Sequence, residues 1–288
     1  MSTLRPQGGR GTVDGLPEWD RCAVMGVVNV TPDSFSDGGR WFDTTAAVKR
    51  GLDLVTEGAD LVDVGGESTR PGASRVDEDE ELRRVLPVVR GLASEGVTVS
   101  VDTMRASVAE QAVAAGAVLV NDVSGGLADP AMVPAVAAAG VPFVVMHWRG
   151  FSQDMNSRAV YTDVVTEVVA ELRDRMEAVV AGGIAPERLV IDPGLGFAKG
   201  AEHDLALLAH TADLRTLGRP LLVAASRKRF LGRVLAGDGA PPPARERDAA
   251  TAAVSAIAAH EGAWAVRVHE VRATADAVRV ARAVEGAR

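Results

Sequence analysis

Cysteine and long apolar runs are what this sequence has least of, and each absence excludes a class of protein. With one cysteine, Cys22, in 288 residues, the chain forms neither an intramolecular disulfide nor a cysteine zinc cluster, which is typical of a reducing cytoplasm. No run of about 18 apolar residues could span a membrane, and the first residues lack the apolar core of a secretion signal. We therefore expect a cytoplasmic protein.

Basic residues are also in short supply. Lysine and arginine total 31 against 39 aspartates and glutamates, so the net charge is −8. General binding to nucleic acid or to a membrane surface requires a basic surface, because both of these partners carry negative charge. We therefore expect small molecules as partners, and neither nucleic acid nor membrane.

Two catalytic signatures are missing as well. No G-x-G-x-x-G follows an apolar segment, which argues against a dinucleotide-binding domain. No G-x-S-x-G elbow and no paired nucleophile and base are present, and Cys22 precedes the first predicted strand. The chemistry is therefore expected to rest on positioning and charge stabilisation, without a covalent intermediate.

The sequence does contain a regular alternation of short apolar runs and longer helical patterns. Eight apolar runs, from Val24–Asn29 to Ala265–Val268, each precede a helical pattern. Eight such units in about 265 residues match the size of a (β/α)8 barrel, so we predict a single-domain α/β TIM barrel over residues 21–288. An open doubly wound sheet is the alternative. Residues 1–20, rich in glycine and proline, are predicted to be a flexible tail.

The first predicted strand changes character within one residue. The apolar segment from Ala23 to Val28 leads into a loop of polar side chains and glycines, from Asn29 to Gly39. An ordinary β-to-α connection is one interpretation. Amide, carboxylate and hydroxyl oxygens also bind Mg²⁺ and contact phosphate, so this loop is a candidate metal and phosphate site.

Polar residues recur at the predicted carboxyl ends of all eight strands, which in a barrel meet on the face that carries the chemistry. Taken singly, Asp102 or Asn121 could be a helix cap, and His147 a satisfied core histidine. Capping does not explain eight strands out of eight. A flat heterocycle with an amino-pyrimidine edge would suit four of these residues, which supply acceptors and a donor. The four are Asp102, Asn121, Asp192 and Lys228.

A second group of residues is basic. Arg70, Arg267 and His269, together with the hydroxyls of the first loop, predict an anion site, because local positive charge here opposes the net charge of −8. TIM barrels often bind phosphate after their last two strands, where Arg267 and His269 lie. The run Arg227–Arg229, taken alone, would be interpreted as a solvated face.

Several long segments resemble dihydropteroate synthase of folate biosynthesis, and the alanine- and arginine-rich composition resembles an actinobacterial member. The resemblance runs from about Cys22 to the C-terminus. Each segment is moderately specific, and together, in this order, they are very specific. The segments are MGVVNVTPDSFSDGG, DVGGESTRPGA, SVDTMR, NDVSGG, MHWRG, DPGLGFAK, SRKRFLG and RVHEV.

The resemblance implies a transferase that condenses 6-hydroxymethyl-7,8-dihydropterin diphosphate with p-aminobenzoate, giving 7,8-dihydropteroate and pyrophosphate. It implies departure of pyrophosphate with the assistance of Mg²⁺, followed by attack of the amine on a cationic pterin methylene. This order agrees with the absence of an enzyme nucleophile. A homodimer, inhibition by sulfonamides and closure of the first two loops over the site are also implied.

The resemblance further implies roles for individual residues. Several of them are expected to serve in more than one step. It implies catalytic roles for Asp33, Arg70, Lys228 and Arg267; pterin contacts from Asp102, Asn121, Met146, Asp192, Phe197 and Lys228; p-aminobenzoate contacts from Phe35, Thr69, Arg70, Pro71 and Ser226; diphosphate contacts from Asn29, Arg70, Arg267 and His269; and Mg²⁺ coordination by Asn29.

The chain departs from the family pattern at two places. Ala224 stands where relatives often have glycine, which could tighten the pterin pocket, and Glu270 stands where aspartate is common. Three alternatives share the barrel: a paralogue without synthase activity, a pterin-dependent methyltransferase domain and a non-catalytic pterin-binding module. The synthase is favoured because Ser68–Gly72 and Ser226–Lys228 keep the synthase pattern, and because the last two alternatives would not need an anion site.

Overall fold

Eight parallel β-strands form the centre of the molecule. The computed structural model describes residues 10–31, 43–67, 76–150 and 157–287, and in these ranges the predicted number of strands is confirmed. The strands are β1 (Ala23–Asn29), β2 (Leu61–Gly65), β3 (Val99–Asp102), β4 (Leu119–Asp122), β5 (Phe143–Met146), β6 (Leu189–Asp192), β7 (Leu222–Val223) and β8 (Ala265–Val268).

The sheet closes on itself. Hydrogen-bonded neighbours follow the order β6-β5-β4-β3-β2-β1-β8-β7, and a parallel bridge between Ile191 and Leu221 joins the two ends. Helices follow the strands along the chain and cover the outside of the sheet. The chain is therefore the predicted single-domain (β/α)8 TIM barrel, and the open doubly wound alternative is wrong.

Ten α-helices lie in the described part of the chain, and α7 and α8 are two that the sequence does not predict. Glycine at position 232 weakens the helical pattern of α8, but a Cβ there would lie 2.8 Å from the guanidinium of Arg247. Within the described ranges, no helix has the length and apolar character needed to cross a membrane. The helices are α1 (Thr44–Glu57), α2 (Glu78–Ser94), α3 (Ala106–Ala114), α4 (Met132–Ala139), α5 (Val164–Ala181), α6 (Ala201–Ala209), α7 (Thr211–Arg215), α8 (Arg229–Ala236), α9 (Asp248–His260) and α10 (Arg272–Gly286).

Alternation along the strands divides the apolar core in two. On β1, Ala23 and Met25 belong to a small cluster inside the barrel, whereas Val24 and Val28 belong to the larger cluster between strands and helices. Because successive side chains of a strand lie on opposite faces, the same alternation assigns the polar residues near the strand ends to the inner face. These inner positions are Asn29, Asp63, Asp102, Asn121, Met146, Asp192 and Arg267.

Three strands extend into their polar ends. The apolar pattern alone would end β3 at Val101, β4 at Val120 and β6 at Ile191, but each strand includes the polar residue or residues that follow. Asp102 pairs in register with Asn121 on β4. These polar side chains therefore stand on hydrogen-bonded backbone and not on loops, which holds them more firmly in place.

The flexible tail expected at residues 1–20 is wrong for residues 10–20, which cover the amino-terminal end of the barrel. Val13 is buried, and Leu16 and Trp19 pack against the cluster inside the barrel. The rings of Trp19 and Trp264 lie 5.7 Å apart. Although this segment is rich in glycine and proline, its apolar side chains pack against the core and cover it.

We expect Val13→Asp to lower the free energy of unfolding by about 3 kcal/mol or more, because it places a carboxylate in an apolar cluster. The matched control is Val280→Asp on α10, where the side chain is 63% exposed and the expected change is within about 0.5 kcal/mol. Urea unfolding followed by circular dichroism measures both. Equal small effects would mean that residues 10–20 do not contribute to the core.

Candidate active site

The guanidinium of Arg267 joins the polar ends of the strands at the carboxyl-terminal mouth of the barrel. Its Nε donates to Asp63 Oδ2 at 2.6 Å, and its Nη2 donates to Asp102 Oδ2 at 2.6 Å. The side-chain amide of Asn121 donates to the same oxygen of Asp63 at 3.0 Å. One arginine thus connects side chains from β2, β3, β4 and β8 into a single network.

Burial sets the charge state of this network. It raises the pKa of Asp102 to about 7, although the charge of Arg267 acts in the opposite direction. Burial also acts to lower the pKa of Arg267, but the carboxylates of Asp63 and Asp102 outweigh it, so that pKa rises and the guanidinium stays charged. The network therefore supplies carboxylate acceptors beside a permanent positive charge, and Asp102 is able to gain a proton near neutral pH.

The loop after β6 supplies the opposite side of the mouth. Asp192 is buried, and its Oδ1 accepts from Gly194 N at 2.7 Å. The ammonium of Lys228 donates to Leu195 O and lies 4.7 Å from the centre of the Phe197 ring. The carboxylate at the end of β6, the ammonium after β7 and the aromatic ring after β6 therefore surround one space, in the combination expected for a polar flat heterocycle.

Lys228 loses its charge at a lower pH than an ordinary lysine does. Burial lowers its pKa to about 8, while Asp192 and Asp204 act in the opposite direction. The loop approaches the lysine closely, since a Cβ on Gly196 would lie 3.0 Å from Lys228 Cδ. Gly196 also has φ +75°, a left-handed conformation that favours glycine. The glycine therefore allows the loop to reach the lysine.

A second lysine supports this loop from behind. Lys199 is buried, and its ammonium lies 2.9 Å from His147 Nδ1 and 3.1 Å from both Gly194 O and Phe197 O. Three acceptors match its three N–H donors. His147 Nε2 lies 3.0 Å from the carboxylate of Glu171 on α5. The loop that carries the predicted pterin contacts is thus fixed to the outer shell of the barrel.

The protonation states of this pair follow from burial. Burial, with the charge of Lys199, lowers the pKa of His147 to about 4, so the imidazole is neutral at pH 7 and can accept from the lysine. Burial lowers the pKa of Lys199 to about 7, against the raising effect of Asp204 and Asp192. The interpretation of His147 as a satisfied core histidine agrees with these contacts.

Ser226 and His269 lie together at the ends of β7 and β8. Ser226 Oγ is 2.9 Å from His269 Nδ1, and it accepts from His269 N at 3.2 Å. Arg227, with φ +59°, turns away from this pair and makes two 2.7 Å bonds with Asp248 on α9. Lys228 therefore reaches the mouth of the barrel, whereas its neighbour Arg227 does not.

Asn29 ends β1 opposite Gly65 in the register, on the inner face. Its amide oxygen is a suitable Mg²⁺ ligand, but in the described ranges no cluster of three or more histidines, cysteines, aspartates or glutamates could hold a metal ion. Magnesium usually combines one or two protein ligands with substrate phosphates and water. The residues therefore fit an ion carried on a diphosphate and do not form a dedicated metal cage.

Five predicted site residues lie outside the described residues. The segments that contain them, 32–42 and 68–75, follow β1 and β2. Arg105 holds both sides of the second segment, since it bonds to Glu67 at 2.8 Å and to Val76 O at 2.5 Å. The undescribed residues are Asp33, Phe35, Thr69, Arg70 and Pro71.

Residues 25–269 match the model of the pterin-binding enzymes. A dihydropteroate synthase of Mycobacterium leprae is 58% identical over 259 residues, which cover 89% of this chain and 91% of that protein. The chain belongs to the dihydropteroate synthase family of pterin-binding enzymes. The prediction of an actinobacterial member of this family is confirmed.

Solved structures of dihydropteroate synthases have the same fold. The Xanthomonas albilineans enzyme with 4-aminobenzoic acid is 47% identical, with a TM-score of 0.85 over 92% of this chain and 94% of that one. The same enzyme has been solved with 7,8-dihydropteroate, at 44% identity and a TM-score of 0.82 over 92% and 94%. The Yersinia pestis enzyme with a sulfonamide drug is 40% identical, with a TM-score of 0.88 over 96% and 98%.

The sequence anticipates most of this dihydropteroate synthase site but misses its support. All the predicted pterin residues lie around one end of the barrel, and their individual roles stay predictions. Asp63, Lys199 and Glu171 received no role from the sequence. The lysine at the end of the glycine-rich loop after β6 was a usable signal for Lys199. The sequence shows Asp63 as a polar residue near the end of the second strand, but no role followed, because a strand aspartate shows its partners only when the barrel closes.

We expect pterin affinity to be highest between about pH 7 and pH 8. Asp102, with a pKa raised to about 7, loses its acceptor role as pH falls through that value. Lys228, with a pKa lowered to about 8, loses its charge as pH rises through that value. Calorimetric titration of 6-hydroxymethylpterin across this range measures the effect.

Asp102→Asn and Lys228→Met are the matched controls for this profile. The first should remove the acid limb, and the second should remove the alkaline limb. Limbs that persist in both variants would assign the titration to the pterin itself and contradict the expectation.

Proposed function

We propose that this chain catalyses the dihydropteroate synthase reaction, in which 6-hydroxymethyl-7,8-dihydropterin diphosphate and p-aminobenzoate give 7,8-dihydropteroate and pyrophosphate. The observation that carries the proposal is the network of Arg267 with Asp63 and Asp102, facing Asp192 and Lys228 across one mouth of the barrel. It combines acceptors for an amino-pyrimidine with cations for a leaving anion.

The carboxylates and the amide select the pterin. Asp102 and Asp192 accept from the N–H groups of the ring, and Asn121 adds a neutral amide beside them. Lys228 donates to a ring oxygen or nitrogen. Met146 and Phe197 contact the faces of the ring and exclude water, which strengthens each of these polar contacts. The ring is therefore held by groups that are in place before it binds.

The basic side chains act on the leaving group. Negative charge develops on the diphosphate as the bond to the pterin methylene breaks, and Arg267 and His269 stabilise it. Arg70 and Asp33 belong to the same proposal, on the segments after β2 and β1. The amine of p-aminobenzoate then attacks the methylene, and the residues proposed around it are Phe35, Thr69, Arg70, Pro71 and Ser226. No covalent bond to the enzyme is required.

Magnesium belongs to the diphosphate in this proposal, and Asn29 would hold it through the amide oxygen. When bound, the ion supplies charge neutralisation on the leaving group. This chain's residues position the substrate around it. Sulfonamides would compete for the p-aminobenzoate site, as a sulfonamide binds the Yersinia pestis relative. A homodimer and a cytoplasmic location complete the proposal.

Pyrophosphate release by the purified protein tests the function directly. The protein receives the dihydropterin diphosphate and Mg²⁺, with and without p-aminobenzoate. We expect release that depends on p-aminobenzoate, with dihydropteroate formed in equal amount. Tight pterin binding with no release would instead favour the paralogue or methyltransferase interpretation.

The role of Arg267 requires a substitution that respects its partners. Arg267→Ala would leave Asp63 and Asp102 buried without their counter-charge, which costs about 3–5 kcal/mol of stability. Arg267→Lys keeps the charge but loses the planar fork. We expect this variant to lower the affinity for the diphosphate substrate about 10-fold more than the affinity for a diphosphate-free pterin.

Calorimetry with both ligands checks this prediction for Arg267→Lys, and thermal unfolding confirms that the variant is folded. Arg227→Lys is the matched control, because Arg227 binds Asp248 away from the mouth. Equal losses for the two ligands would make Arg267 a purely structural residue.

A further inference from the structure

We propose that Asp63 is a positioning residue for this reaction. It holds the Nε of Arg267, so that the rest of the guanidinium can pass from Asp102 to the diphosphate when the pterin occupies Asp102. The inference rests on the proposed function, since it assumes a substrate with both a pterin ring and a diphosphate.

Asp63 is fully buried, but only one of its two carboxylate oxygens accepts a hydrogen bond from the described residues. Its exposure is 0%, and Oδ2 accepts from both Arg267 and Asn121. Its other oxygen, Oδ1, is buried and has no hydrogen-bond partner in the described part of the chain. A buried carboxylate with an unpaired oxygen costs stability. Stability alone therefore does not explain a charged residue at this position.

Arg267 bonds to the two carboxylates through two different nitrogens. Asp63 takes Nε, the nitrogen nearest the backbone, and Asp102 takes Nη2. In the described ranges Nη1 makes no hydrogen bond, and 18% of the side chain is exposed. The bond to Asp63 therefore anchors the guanidinium at its base and leaves the outer nitrogens for a second partner.

Asp102 has two competing uses. Its Oδ2 now accepts from Arg267, but the proposed pterin contacts require the same carboxylate. Donation from the ring to Asp102 withdraws negative charge from its bond with Nη2, and the weaker bond leaves Nη2 more readily available to the diphosphate of the same substrate. Because Asp63 is fully buried, it lies out of reach of the substrate, and its hold on Nε persists through this exchange. Pterin and diphosphate should therefore assist each other's binding through Arg267.

The negative charge of Asp63 also contributes to the proposed positioning role. With Arg267 and Asp102 it makes a cluster of two negative charges and one positive charge, which favours donors that approach Asp102. Asp63 is also among the groups that raise the pKa of Asp102. The other charged groups that act on the cluster are Asp192 on β6, Asp122 on β4, Glu81 on α2 and Lys228 after β7.

Asp63→Asn separates the charge from the shape. The amide oxygen remains an acceptor for Arg267 and Asn121, but without the negative charge it holds the guanidinium less strongly. The NH₂ group takes the place of the unpaired Oδ1. The matched control is Ser100→Ala. Ser100 pairs in register with Asp63, is equally buried and also carries an unpaired side-chain oxygen.

The experiment titrates inorganic pyrophosphate into the full chain by calorimetry, alone and with saturating 6-hydroxymethylpterin. In the natural protein the pterin should raise pyrophosphate affinity by about 5-fold or more. Asp63→Asn should abolish this gain, so that the pterin changes pyrophosphate affinity by less than about 2-fold, whatever the loss of a negative charge does to pyrophosphate binding alone. Affinity for the pterin alone should change by less than about 3-fold, and Ser100→Ala should behave as the natural protein does.

Three outcomes would overturn the proposal. Absence of coupling in the natural protein would do so even if Asp63→Asn failed to fold. Equal losses of pyrophosphate and pterin affinity would make Asp63 structural, and unchanged affinities would leave it without a role. These binding measurements do not depend on turnover, so they remain distinct from the test of pyrophosphate release.

The pH profile supplies a readout that a purely structural role would not move. Since the negative charge of Asp63 raises the pKa of Asp102, Asp63→Asn should shift the acid limb of pterin binding to lower pH. A limb that stays in place would show that the charge of Asp63 does not act on Asp102 and would contradict this part of the proposal.

Discussion

The ion bridge from Asp63 through Arg267 to Asp102 is the interaction on which the rest of the site depends. Two buried carboxylates on neighbouring strands repel each other and lose their hydration, so they require the guanidinium between them. The three residues come from β2, β8 and β3. Their bonds therefore keep the mouth of the barrel in one arrangement, and the acceptors proposed for the pterin are in place before it arrives.

The two ends of the barrel have opposite chemistry. At the amino-terminal end, residues 10–20 add Val13 and the Trp19–Trp264 contact to an apolar interior. At the other end the same strands finish in carboxylates, amides and cations. A closed apolar end gives the strands a rigid base, and stability is thereby separated from function, as in other barrels of this class.

A site without an enzyme nucleophile has to rely on position. Lys199 serves this purpose by connecting two carbonyls of the loop after β6 to His147. That loop in turn presents Leu195 O to Lys228 and places Phe197 near the same ammonium. The proposed pterin contacts thus depend on a buried support behind the loop, and such a support limits the motion of a preorganised site.

The barrel and the location of its chemistry follow from the sequence alone. Short apolar runs, each ended by a polar residue, are a local signal, and Asp102, Asn121, Asp192 and Lys228 could be identified from it. Two features became visible only in the folded chain. They are the packing of residues 10–20 over the core and the carboxylates that hold Arg267. Asp63 and Arg267 are 204 positions apart, and they meet because the sheet closes. The partners of a buried charge depend on that closure, and no local pattern contains it.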